Sequence, residues 1–285
     1  MHRLLAPTPC TETHTMKKIL FALIFAFSHY ATAGDVFNGL HARPFALADA
    51  LELDASIAGY PIWNGEGKWR IFNIEKREST GSGDKVPIGD LEVFQTEGKN
   101  FVAMMKVSAN LGTASVKWLG EPCKRDNILY KANIGKSVWQ DNCVMINHIS
   151  GFYANPPTAG AALYSLLTQQ GVELPPTVLQ IQFTRNGNNG NMLNTVLYVN
   201  PELMGFPRET ETNWARNPWH KTQSFNDPVK KQFIDALSAW ALKLATRMDA
   251  GLDKQSDAFS TFPSWRAVLN GQAKPDASKA KVLLD

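Results

Sequence analysis

Over residues 177–185 the chain alternates strictly, with Leu179, Ile181 and Phe183 on one side and Gln180, Gln182 and Thr184 on the other. Successive strand side chains point to opposite faces, so this pattern predicts a strand covered differently on its two sides. Residues 192–200 alternate again, and between the runs lies Asn186-Gly187-Asn188-Asn189-Gly190-Asn191. These residues tolerate positive φ, so a β-hairpin is predicted, ended by Pro201.

Rougher alternation gives strands over 68–75 and 91–95. The run over 100–109 is different, because Phe101, Val102, Ala103, Met104, Met105 and Val107 are nearly continuous. A continuous apolar run fits a central strand covered on both faces. The turn Glu97-Gly98-Lys99-Asn100 leads into it. Short strands are also expected over 115–119, 128–133 and 144–149.

Helical periodicity appears in three places. Phe233, Leu237, Trp240, Leu244 and Met248 fall on one stripe, after Asp227-Pro228 and before Gly251. Asp as N-cap and Pro at the first helical position start a helix, and Gly ends one. A second helix is predicted over 159–170, capped by Thr158 and stopped by Gly171, with Leu163, Leu166 and Leu167 inward and Tyr164 at the edge. A third is predicted over 44–57 from Leu47, Ala50 and Leu51. A short helical turn is expected over 263–269. The expected fold is α+β, one mainly antiparallel sheet flanked by helices, forming a single domain over 34–269. The Ala/Lys-rich residues 270–285 read as a loosely ordered tail.

The N-terminus stands apart from this pattern. Met16-Lys17-Lys18, an apolar run from Ile19 to Phe27, and Ala31-Thr32-Ala33 follow in the order of a secretory signal peptide, here 16–33. The apolar run is far shorter than the roughly 20 residues a spanning helix needs. Residues 1–15 then read as an upstream extension of a chain starting at Met16. The expected location is the periplasm or the medium, with no membrane span once the signal is cleaved. Removing 1–33 changes the balance from 29 basic against 26 acidic residues to 26 against 25. A body this near neutrality lacks the basic footprint of a nucleic-acid binder.

Export also changes how the cysteines read. Of three, Cys10 falls ahead of the signal, leaving Cys123 and Cys143 as the only pair. An oxidising compartment and a single possible pairing predict a disulfide, a staple between the strands near Trp118 and Val144. The spacing is neither that of a Cys-x-x-Cys redox pair nor that of a zinc site. No metal and no cofactor is implied.

Neither a Gly-x-Ser-x-Gly elbow nor a His-Glu-x-x-His motif occurs in the sequence. His41 stands without a second ligand at metal spacing, and a solvated role is expected. His148, near Ser150, and His220, near Lys221 and Ser224, are the histidines to weigh for catalysis. A hydrogen-bonded structural role is favoured for both.

Residues 202–226 form an irregular stretch with Phe206, Trp214, Arg216, Trp219, His220 and Phe225. Long loops without regular structure are often functional, and Trp with Arg is typical of interface anchors. The candidate binding residues are therefore Trp214, Arg216, Trp219 and His220. The competing reading, favoured by the tryptophan content, is an aromatic strap on the final helix with Trp214 and Trp219 in the core. The functional expectation is a non-catalytic periplasmic binding or protein-interaction module meeting an envelope protein, peptide or glycan. The alternative is an envelope-acting hydrolase using His148 or His220.

Overall fold

Ala58 and Gly59 hold φ of 54° and 76°. Two successive left-handed residues make the tight turn that matches strand twist, so the chain here doubles back as a hairpin. The computed structural model describes residues 55–63, 65, 67–79, 85–112, 122–135, 142–152, 158–186, 191–252, 259 and 262–266. In it β1 (Ser56–Ile57) pairs antiparallel with β2 (Tyr60–Pro61). This corrects the helix expected over 44–57 at its C-terminal end. A helix cannot continue through two left-handed residues, and the strand pairing takes Ser56 and Ile57 instead. Residues 44–54 lie outside the described residues, as do 1–33, 115–119 and 270–285.

Seven strands then form one sheet: β3 (Arg70–Ser79), β4 (Val86–Glu97), β5 (Asn100–Asn110), β6 (Tyr130–Asn133), β7 (Cys143–Ser150), β8 (Thr177–Asn186) and β9 (Met192–Val199). Their order is β3-β4-β5-β9-β8-β7-β6, and every neighbouring pair is antiparallel. The sheet is thus two meanders joined where β9 returns to lie against β5. That junction places β5 in the interior of the sheet, and its residues are buried almost throughout. The continuous apolar run over 100–109 has this central position as its cause.

Among the described residues three helices accompany the sheet: α1 (Thr158–Gln169), the single turn α2 (Lys221–Ser224) and α3 (Pro228–Leu252). Asp227 Oδ1 accepts from the backbone N–H of Val229 and Lys230, at 2.9 and 3.1 Å, which satisfies two donors of the first turn. Phe233, Leu237, Trp240, Leu244 and Met248 share one core with Leu91, Val107, Ile181, Phe183 and Leu197 of the sheet. Burying side chains of this size contributes about 1.5–3 kcal/mol each. Leu163, Tyr164 and Leu167 of α1 join Phe94, Phe101, Met104 and Val178 in a second core. Tyr164 is buried there and Leu166 is only half-buried. Tyr164 therefore takes a more central place than the helical stripe predicts, held by its hydroxyl donating to the Phe152 carbonyl.

Arg185 fastens α3 to the sheet. Its side chain is sealed from solvent, with Nε 2.9 Å from Asp249 Oδ1 and Nη1 donating to the Thr184 carbonyl at 2.9 Å. Burial pushes the guanidinium down to about 10, against the pull of Asp249, so it stays charged near neutrality.

Cys123 and Cys143 form the expected disulfide, with Cα atoms 5.7 Å apart. Cys143 opens β7, and Cys123 sits in a 3-10 turn at Pro122–Lys124. The bridge ties that turn to a strand, and Trp118 lies outside the described residues. Among the described residues no helix is long and apolar enough to cross a membrane.

Candidate binding surface at the Trp214 turn

In β7, His148 and Ser150 are two apart and so share a face. Thr177 of β8 stands directly opposite Ser150. All three turn to the segment over 205–220, which crosses this end of the sheet. His148 Nε2 donates to the Trp214 carbonyl at 3.0 Å. Ser150 Oγ donates to the Thr212 carbonyl at 3.0 Å. Asn217 Nδ2 donates to Thr177 Oγ1 at 2.9 Å and to the Glu211 carbonyl at 2.7 Å, while its Oδ1 accepts from Trp219 N. An irregular segment has no ladder of its own, so these side chains satisfy its backbone groups.

The same segment is fixed to α3 by aromatic packing. Trp219 is fully buried, its ring centroid 4.8 Å from Phe206 and 5.9 Å from Phe233. Lys230 Nζ stands 5.1 Å from the Trp219 ring and bonds Glu209 Oε1 at 3.0 Å. For Trp219 the strap reading is the one the structure shows.

Trp214 is placed differently. Its indole is half-buried and lies parallel to His148, with centroids 5.2 Å apart and planes 15° from each other. His220 stands edge-on to both rings, 4.5 Å from Trp214 and 5.8 Å from His148. His220 is also the N-cap of α2, where Nδ1 faces the Thr222 hydroxyl at 2.9 Å. Asn213 Oδ1 accepts from the N–H of Ala215 and Arg216, which shapes the turn carrying Trp214 outward. Arg216 is 73% exposed and pairs with Glu211 at 3.3 Å. Of the four residues singled out in the sequence, Trp214 and Arg216 reach the surface, and Trp219 and His220 lie behind them.

His148 and His220 are 0% and 6% exposed. Burial pushes His148 down to about 4, opposed by its bond to the Trp214 carbonyl and assisted by neighbouring His220, so it is neutral at pH 7. Its Nδ1 and the Nε2 of His220 have no hydrogen-bond partner. Each imidazole touches the other and Trp214, and neither meets a carboxylate of a described residue. Among the described residues no group of three or more His, Cys, Asp or Glu could hold a metal ion.

A second polar constellation escapes the sequence reading. Asp90 and Glu92 of β4 share a face with Lys106 and Ser108 of β5. Ser108 Oγ donates to Asp90, which also receives Arg77 Nε at 2.5 Å, and Lys106 Nζ bonds Glu92 Oε1 at 2.9 Å. The second oxygen of Glu92 has no partner. Charges alternating with apolar residues on two adjacent strands were the available signal, but their pairing depends on a register that only the sheet sets.

Comparison of the chain with protein-family models, with curated proteins and with solved structures gives no match.

Proposed function

We propose that this chain is an exported, non-catalytic binding or protein-interaction module of the cell envelope, and that it meets a peptide or glycan through the turn bearing Trp214 and Arg216. The observation that carries this reading is the mounting of Trp214. Its indole rests on the buried His148 ring and is braced by His220, while its carbonyl is held by His148. An aromatic ring already fixed in place loses little side-chain entropy on binding, and Trp and Arg are the residues that dominate interfaces. Arg216 and Glu211 supply a polar rim beside it. The 16–33 leader, read as a signal peptide, supports export, and helices flanking the sheet complete the α+β reading. The hydrolase alternative, using His148 or His220, is the weaker one, because both imidazoles are spent on holding Trp214.

The test is capture from an envelope extract by the wild-type protein, Trp214→Ala and Arg216→Glu. A peptide or glycan retained by the wild type and lost by both variants supports the surface. Identical retention by all three overturns it. Trp219→Ala is the wrong probe, since it opens a core.

A further inference from the structure

A groove of about 640 Å³ opens between α3 and the segment at Phe262–Pro263. This lies within the range of roughly 300–1,000 Å³ typical of small-molecule sites. Phe262, Pro263 and Ala239 form its accessible apolar wall, and the buried Trp240 ring packs behind Phe262 with centroids 6.1 Å apart. The Trp240 indole N–H is committed to the Pro263 carbonyl at 3.1 Å, which fixes this segment on α3. The Thr246 hydroxyl is likewise taken, by the Leu242 carbonyl at 3.2 Å. What remains polar is Lys243 and Arg247, one turn apart, both exposed and in no ion pair with a described residue. Asp249, two residues beyond Arg247, faces Arg185 instead.

We infer that this groove binds a small anionic amphiphile, a single hydrocarbon chain with a carboxylate head. The chain lies along Phe262, Pro263 and Ala239, and the head sits between Lys243 and Arg247. Charge complementarity selects the head, since the polar side chains left to the groove are a lysine and an arginine. The apolar wall selects the tail, whose transfer from water supplies the affinity. The groove shares no lining residue with the Trp214 turn, so either proposal can fail without the other.

Calorimetric titration of monomeric dodecanoate into the purified protein tests it. Saturable one-to-one binding is expected, weakened at least about tenfold in Lys243→Glu/Arg247→Glu and retained in Lys243→Arg. Acetate, a head without a tail, and dodecyltrimethylammonium, a tail with the opposite charge, are expected not to bind. Both substituted side chains are exposed, so the variant folds normally, and its unchanged thermal midpoint confirms this. Unchanged dodecanoate binding by the charge-reversed variant, or no saturable binding by the wild type, overturns the inference. Binding to anionic vesicles but not to monomeric dodecanoate also overturns it, in favour of a membrane-surface role.

Discussion

The ring of His148 lies parallel to the indole of Trp214, 66 residues later in the chain, and donates a hydrogen bond to the carbonyl of the same residue. One buried imidazole thus fixes both the backbone and the side chain of a half-buried tryptophan at the surface. Either protonation state can donate Nε2–H to that carbonyl, so it is burial that keeps the ring neutral, by lowering its pKa to about 4.

Stability should therefore fall in mild acid. Between pH 6.5 and about 4 the unfolded chain takes up a proton at His148 that the folded protein refuses. Stability is complete above pH 6.5, declines across this window by about 3 kcal/mol, and stops declining from this cause below pH 4. In urea titrations at several pH values, His148→Phe should lose this part of the slope while keeping the aromatic stack. Equal slopes in both proteins would show that His148 is not the group responsible.

Trp214 and Trp219 should respond oppositely to truncation. Trp219 is sealed against Phe206 and Phe233, so Trp219→Ala removes a core ring and should cost about 3–5 kcal/mol. Trp214 is half-buried, and Trp214→Ala should cost clearly less while abolishing capture of the envelope ligand. Chemical denaturation of the two variants separates the effects.

The Cys123–Cys143 bridge closes a loop with a sequence separation of 20. Reduction should destabilise the protein by about 3 kcal/mol on the chain-entropy argument. Thiol titration of denatured, non-reduced protein should find one free thiol, Cys10, in the full chain and none in a chain without residues 1–33. Two free thiols in the chain without residues 1–33 would refute the bridge.

Glu92 and Lys106 should be coupled. Lys106→Met leaves a carboxylate that is 2% exposed without its cation, a loss of about 2 kcal/mol after allowing for the 32% exposure of the lysine. Adding Glu92→Gln should restore part of it. A double-mutant cycle in urea reads the coupling, and strict additivity would mean that the pair contributes nothing.

Ala58 is the one non-glycine residue with positive φ among the described residues. Left-handed backbone costs an alanine about 1 kcal/mol, which asparagine tolerates better. Ala58→Asn should raise the thermal midpoint, whereas Gly59→Ala, at φ 76°, should lower it.

The 177–200 hairpin, the start of α3 at Asp227-Pro228 and the pairing of Cys123 with Cys143 were all legible in the sequence. Each depends on residues near in the chain or, for the cysteines, on there being one possible partner. The β1–β2 hairpin was not, because Ala58 carries no turn signal and the apolar spacing of Leu47, Ala50 and Leu51 suggested a helix instead.

For the surface segment, the sequence marked 202–226 as irregular and aromatic but left Trp214 and Trp219 as equivalent candidates. Only the tertiary structure separates them, by setting Trp219 against α3 and Trp214 over His148. The same holds for Glu92 with Lys106 and for β9 beside β5. Periodicity and turn chemistry act over a few residues and are written in the chain. Which strand returns to which neighbour, and in what register, is decided by burial of the whole sheet, and that choice brings distant side chains together.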